Sequence, residues 1–553
     1  MLSRNGQVAL VFNGQIYNYL ELKHELSGSG YVFRSTSDTE VLLAAYLAWG
    51  ESCFERLRGM WAVVIWDKRS QSLVFSRDRI GLKPLYSYQG EGQLILASEI
   101  KAILAIDRQA AQLDALTAYR FLARGWLDFT DHSFFERIRA VPPGTVSVIS
   151  NGSLRRRRFW SLRVEMDKER TPSDLRDVLT DTVRRHLQSD VPVAIALSGG
   201  IDSGSIACAA AHELGQREKV HGFSICPPDT CAESFWINAT VRHTGSRHTY
   251  VDADSVDYAP IIDEMIAFHD EPPPKVNHVY QYLLRKAVGE AGYKVLLSGE
   301  GNDEILGGYA RYAPMYIAAM LDLGRLDAVA AFVEGAQEFT GQTPDQMLAA
   351  AIRYLRTGFG ARTVQEHRFG DSLLNAPAED AIAFPPFIHP ELAAEEPGMD
   401  LLREMLDRFR LDMPHVLKIE DRNGMAHGVE VRVPFLDHQM VAFCFGFPVE
   451  MYMRGGQNKY ALRVAMASIL PHEINNCHIK MRRPGSESYV VYDKLAPMMR
   501  ELLRDPRLVS TGLWVKGIAD QFDADCAARA PHQAFVWFRT YVFGRWLLRY
   551  IAC

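Results

Sequence analysis

The 553-residue sequence has no C-x-x-C pair, no G-x-x-x-x-G-K-[ST] loop, no surplus of basic residues and no uninterrupted apolar run of about 20 residues. Each absence removes a class. Eight cysteines, Cys53, Cys208, Cys226, Cys231, Cys444, Cys477, Cys526 and Cys553, are scattered along the chain, which sets aside a disulfide frame or a zinc site and fits reduced thiols in the cytoplasm. A net charge of −6 and a pI near 6.3 argue against a nucleic-acid footprint. Residues 535–551 are the most apolar tail, but Arg539, Arg545 and Arg549 interrupt them, so an amphipathic helix is expected there and no membrane span. No secretory leader pattern, internal repeat or low-complexity segment stands out. The length exceeds what one core usually supports, so two or more domains are expected.

What the sequence does contain is concentrated at VPVAIALSGGIDS, residues 191–203. An apolar run stops at Ser198-Gly199-Gly200 and is followed by small residues of helical character, the pattern of strand, tight turn and helix. Two glycines, the hydroxyls of Ser198 and Ser203 and a helix N-terminus would point donors and partial positive charge at a phosphate or pyrophosphate. Asp202 would repel a bare phosphate, but serves if Mg²⁺ bridges it to one. The plain alternative is an ordinary strand-to-helix turn. Six matching residues in that context resemble the pyrophosphate loop of the N-type ATP pyrophosphatases, which split ATP between the α and β phosphates.

From residue 173 onward helices and strands alternate, with strands expected at 220–225, 248–251 and 294–298 and helices at 232–244, 258–268 and 280–291. This predicts a doubly wound parallel sheet whose ligands gather at the C-terminal strand ends, where Ser198 and Ser298 both fall. A second carboxylate-rich cluster, LSGEGNDEILGGY, follows residue 296. Asp303 with Asp202 could hold Mg²⁺ on the pyrophosphate; helix capping by Asn302 or Asp303 is the alternative. Past Tyr312 the strands are expected to end and helices to take over, with a surface excursion at 370–400. The first block, residues 8–143, reads as β-rich, with strands at 7–12, 60–66 and 72–76, an Asn13-Gly14 turn, and helices at 19–28 and 39–49. Poor alternation in its strands implies burial on both faces. Of the run Arg155 to Arg158, a solvated strand end is the favoured reading over a phosphate or RNA site. A domain boundary is expected near Thr171-Pro172.

Ordered motifs extend the resemblance over nearly the whole chain. VFNGQIYNYLELK, SDTEVLL, RLRGMWAVVIWD, FSRDRIGLKPLY and ASEIKAIL follow one another as in the glutaminase domain of class II, asparagine-synthetase-type amidotransferases. SGEGNDEILGGY, the DEP turn at Asp270, DRNGMAHGVEVRVPFLDH and Gln457-Asn458-Lys459 with Leu462-Arg463 continue it. The resemblance implies an α/β chain with an α+β N-terminal part: residues 1–170 a truncated N-terminal-nucleophile αββα sandwich, residues 171–553 a doubly wound parallel-sheet ATP pyrophosphatase domain with a helical C-terminal part. It also implies ATP and Mg²⁺ as cofactors, with Leu197, Ser198, Gly199, Gly200, Asp202, Ser203, Ile225, Ser298 and Gly299 binding ATP and pyrophosphate and Asp202 and Asp303 holding the metal. Glu300 falls on the glutamate of the amino-acid pocket and Lys480 on the lysine that stabilises charge at the α-phosphate. His478 and Arg483-Pro484-Gly485 depart from the family pattern around it.

Asn13 and Gly14 match the family's oxyanion hole and Asp38 its glutamine-binding carboxylate, whereas Gln15 replaces a usual glutamate and no cysteine follows Met1. The family's nucleophile is that cysteine, so these three residues read as vestigial, glutaminase activity is expected to be absent, and an exposed sheet edge is expected where the first strands are missing. His269 reads as a structural histidine in preference to a base. Asp421, Arg422, Glu430, Arg432 and Asp437 read as a salt-bridged scaffold in preference to substrate contacts. The activity implied is adenylation of a carboxylate, aspartate by default, followed by amidation with ammonia. An amide ligase of secondary metabolism or surface-glycan tailoring, and a catalytically silent homologue, are the alternatives. Partners are then a small-molecule carboxylate and ammonia, with a homodimer open and neither nucleic acid nor membrane.

Overall fold

The computed structural model describes residues 1–128, 130–215, 219–225, 233–357, 399–477 and 486–551. Lys480, His478, the Arg483-Pro484-Gly485 turn and the excursion expected at 370–400, except its last two residues, lie outside them.

The first block is built on a five-stranded antiparallel sheet of order β1-β2-β3-β7-β8, formed by Val8–Ile16, Gly59–Asp67, Ser72–Arg77, Thr145–Ser150 and Ser153–Arg158. Between β3 and β7 run β4 (Tyr86–Gln89), β5 (Leu94–Ala97) and β6 (Ile138–Ala140), which form a three-stranded sheet of order β5-β4-β6. Helices Tyr19–Gly28 and Asp38–Trp49 cover one face of the large sheet through Leu22, Leu26, Val41 and Leu42 against Trp61, Val63 and Ile65. Its other face meets the small sheet through Ala62, Phe75, Leu85 and Leu96. Helices Ile100–Ile106 and Ala115–Arg124 close the far side, giving the αββα layering expected. Burial on both faces is why β2 is apolar almost throughout.

Asn13 and Gly14 do not form the expected turn. They continue β1, opposite Ala62 and Trp61. Gly14 adopts φ +153°, and a Cβ there would stand 2.1 Å from the Met60 carbonyl oxygen. The glycine is therefore kept for close strand approach. β1 is the edge strand, and residues 1–3 fold back along it, with Leu10 N donating to Met1 O and Ser3 N to Val8 O, both at 2.8 Å.

The second sheet is wholly parallel, order β11-β10-β9-β12-β13, from Arg247–Val251, His221–Ile225, Val193–Ala196, Val295–Leu297 and Glu430–Arg432. The chain leaves β9 toward β10 on one side and returns to β12 on the other, so the crevice for a ligand opens where Ser198 and Ser298 end their strands. β13 corrects the expectation that strands stop beyond Tyr312. It is three residues long and flanked by charges, too short to show any period, and pairing with β12 alone makes it a strand. A two-stranded ribbon, β14 (Met453–Arg454) and β15 (Gln457–Asn458), adds to that correction. The C-terminal helix Pro531–Tyr550 buries Trp537, Phe543 and Trp546 against the small sheet's helices. Among the described residues no helix is long and apolar enough to cross a membrane.

The two blocks are joined by ion pairs, most of them buried. Lys83 Nζ lies 2.8 Å from Asp421, Arg58 Nε 2.8 Å from Asp437, and Arg422 meets Glu99 at 3.0 Å. Lys418 Nζ sits 2.7 Å from both Asp128 and Glu271. Thus Asp421, Arg422 and Asp437 are paired, as a scaffold reading requires, but with the first block; only Glu430 and Arg432 pair with each other.

Candidate functional site

The loop after β9 closes on itself through its own hydroxyls. Ser203 Oγ accepts from Ser198 N at 3.0 Å and lies 3.1 Å from Ser198 Oγ, while Gly200 N reaches Ser198 Oγ at 3.4 Å. Gly199 takes φ +77°, a left-handed turn that a β-substituted residue resists. Gly200 is the N-cap of helix Ile201–Leu214 and supplies no side-chain cap, so the first helical N–H groups are left to a ligand. Ser198 is exposed at this mouth, Leu197 is buried beneath it, and Leu197 O accepts from Ser224 Oγ one residue before Ile225.

Asp202 and Asp303 are brought together from the two strand ends, and a lysine lies between them. Lys459 Nζ is 2.6 Å from Asp202 Oδ2 and 2.6 Å from Asp303 Oδ1. The ammonium is 5% exposed, whereas the aspartates are 23% and 15% exposed and face the opening. Burial alone would lower the Lys459 pKa, but the two carboxylates outweigh it and hold the group charged. Lys459 itself sits at φ +52°, between ribbon β14–β15 and helix Tyr460–Met466, and Arg463 ties that corner by donating to Asn458 O at 2.8 Å. Gly308 completes the packing: a Cβ there would lie 1.8 Å from Asp303 Oδ1 and 2.5 Å from Lys459 Cε. Lys459 has no role that the sequence alone assigns. Its signal was the lysine spaced three residues after Gly456 and four before Arg463, which carries no chemistry until the chain folds.

Asn302 Nδ2 donates to Asp202 Oδ1, and among the described residues its buried Oδ1 has no hydrogen-bond partner. Two aspartates and an amide oxygen are donors of the kind a hard divalent cation takes, and a cation there would share the aspartates with the Lys459 ammonium that lies 2.6 Å from each. Among the described residues no group of three His, Cys, Asp or Glu side chains forms a metal cluster, so the remaining ligands would have to come from a phosphate and water. Glu304, next to Asp303, is buried and accepts from Tyr309 Oη at 2.5 Å; burial and then Asp303 push its pKa up to about 7. Glu300 is half-buried and receives Gln281 Nε2 at 3.1 Å, which places it beside helix Val276–Glu290 at the same sheet edge. Ser298 and Gly299 follow β12 directly.

His269 is enclosed and accompanied by Asn423 Oδ1 at 2.9 Å; burial pushes its pKa down to about 3, the behaviour of a neutral structural histidine. In the first block, Asn13 Nδ2 donates to Ser98 Oγ at 3.2 Å and Asp38 Oδ2 accepts from Ile16 N at 2.9 Å. Burial pushes the thiols of Cys53, Cys208 and Cys444 up, so none of these is a poised nucleophile.

A family model described as asparagine synthase matches residues 174–547, and a glutamine amidotransferase domain model matches residues 1–160. Asparagine synthetase (glutamine-hydrolyzing) 3 of Bacillus subtilis strain 168 is 30% identical over 487 residues, covering 84% of this chain and 74% of that protein. Asparagine synthetase (glutamine-hydrolyzing) 1 of the same organism is 26% identical over 554 residues, covering 96% and 83%. Amidase chry2 of Gibberella zeae is 27% identical over 523 residues, covering 85% and 76%.

Proposed function

The chain belongs to the asparagine synthase family, and from that premise we propose that it activates a carboxylate, aspartate by default, as an acyl-adenylate and then converts it to the amide. The observation that carries this reading is the juxtaposition of the Ser198–Ser203 loop with Asp202, Asp303 and Lys459 at the switch point of the parallel sheet.

A carboxylate oxygen attacks the α-phosphorus of ATP, the bond from that phosphorus to the bridging oxygen breaks, and pyrophosphate departs. The loop N–H groups and the Ser198 and Ser203 hydroxyls hold the leaving pyrophosphate. Asp202 and Asp303, with Asn302 Oδ1, would hold Mg²⁺, which supplies charge neutralisation on the phosphates. Lys459 keeps the two aspartates in register and offers a fixed positive charge beside them. Lys480 is assigned the α-phosphate from sequence alone. Ammonia then attacks the acyl carbon, AMP leaves, and Glu300 orients the incoming nitrogen or takes its proton. The nitrogen donor we assign is ammonia.

Pyrophosphate release across a panel of carboxylic acids with ammonium tests the assignment. AMP and pyrophosphate are the expected products, Asp202→Asn and Asp303→Asn should each abolish their formation with the fold intact, and glutamine should not replace ammonium. ADP and phosphate as main products would rule out adenylation, and no nucleotide turnover with any acid would identify a silent homologue.

A further inference from the structure

Away from the ATP crevice, a cavity of about 650 Å³ opens between the segment that joins the two blocks and helix His438–Cys444. It shares no residue with the site described above. The residues that line it include three arginines, Arg158, Arg163 and Arg170, against one acid, Glu165, together with Trp160 and Phe443.

The arginine run on β8 explains how one of these comes to be there. Arg155 and Arg157 are paired with Glu51 and Glu55, each at 2.6 Å, and Arg156 Nε donates to Ser147 Oγ at 3.0 Å. Arg158, the fourth, is exposed and lines the cavity; like Arg163, it has no ion pair or side-chain hydrogen bond among the described residues. Arg170 is held in place by Phe443 O at 2.6 Å and lies 5.0 Å over the Phe443 ring. Trp160 meets His438 edge-on at 6.4 Å. Two unpartnered planar forks matched to phosphate oxygens, next to aromatic wall in a space the size of small-molecule sites, describe an amphipathic anion.

We propose that this cavity binds a ring-bearing phosphomonoester of nucleotide size, its phosphate on Arg158 and Arg163 and its ring against Trp160. Helix His438–Cys444 begins next to Asp437, whose carboxylate takes Arg58 from the first block, so the ligand sits on the joint between blocks. The site is independent of the catalytic assignment.

Hydrogen–deuterium exchange of the 553-residue chain, titrated with AMP, inorganic phosphate or benzoate, tests it because each peptide reports its own site. AMP should protect peptides covering 158–170 and 438–444. In an Arg158→Ala/Arg163→Ala variant, half-saturation of that protection should move at least about tenfold, the loss of one or more charge-assisted bonds. Protection around 198–203 and the rate of pyrophosphate release should stay as in the parent. Protection by AMP confined to 198–203, or unchanged in the variant, overturns the proposal. So does equal potency of benzoate, which would make the site one for carboxylates, or of inorganic phosphate, which would leave the ring without a role. If the alanine variant does not fold, the parent's map with AMP against phosphate and benzoate decides alone.

Discussion

Two lysines in this molecule each hold a pair of carboxylates. Lys459 lies between Asp202 and Asp303, and Lys418 between Asp128 and Glu271, with separations of 2.6 to 2.7 Å in both cases. Their surroundings differ. Around Lys418 the side chains are 4% to 16% exposed, and they come from the first block, the turn after helix Tyr258–His269 and the long helix Met399–Met425. Around Lys459 exposure is similar, with Asp303 at 15% and Asp202 at 23%, but the trio stands at the switch point of the parallel sheet beside a loop of unclaimed N–H groups. The same charge set is thus cement in one place and chemistry in the other because of what stands beside it, a packed junction or a phosphate-sized loop, and neither composition nor exposure separates the two.

Removing each cation should separate the two. Lys418→Met leaves Asp128 and Glu271 facing each other in a closed space, a loss of about 3–5 kcal/mol; we expect a Tm lowered by more than roughly 5 °C, with the turnover of the folded fraction nearly intact. Calorimetry alongside pyrophosphate release checks both halves, and an unchanged Tm would refute the structural assignment. Lys459→Met strips two carboxylates of their cation in the same way and should lower Tm comparably, but it should also cut pyrophosphate release of the folded fraction by about 10²–10³-fold, as for loss of one electrostatic stabiliser.

Smaller changes sharpen the contrast. Gly308→Ala places a methyl where Asp303 and Lys459 now pack, so it should lower release at least about tenfold, comparable to an overpacking cost of 1–3 kcal/mol. Near-native rates in that variant would show that the pair tolerates displacement. Glu304 gives a pH test. Its folded pKa is raised to about 7 by burial and Asp303, above the ordinary 4.5, so its contribution to stability is present below the unfolded value and fades as pH rises through 7. Glu304→Gln should therefore gain stability over the parent at pH 8, on the order of 2 kcal/mol, and lose that advantage near pH 4.5. A gain independent of pH would refute the assignment. Arg155→Ala, which breaks an exposed pair with Glu51, should cost no more than about 1 kcal/mol; a larger loss in a denaturation series would show that β8 depends on it.

The alternating elements from residue 173 onward and the β-rich first block were legible because burial on both faces leaves continuous apolar strands, and glycine-rich turns follow them. The Asn13-Gly14 turn was misread because a glycine kept for close strand approach has the same spelling as one kept for a turn. β13 was missed because three residues carry no period, and the partners of Asp421, Arg422 and Asp437 because they lie more than 300 residues away in the chain.

By itself, the sequence determined the strand-loop-helix around Ser198, the carboxylates at 202 and 303 and the family to which the chain belongs, since these rest on local pattern and ordered motifs. Only the tertiary structure decided that Lys459 stands between those carboxylates while Lys418 joins two others across the blocks, and that Arg158, alone of the four arginines, has no side-chain partner among the described residues and lines a cavity. A side chain's charge is written in the sequence, but what it neutralises depends on which distant segments packing brings within a few ångströms of it.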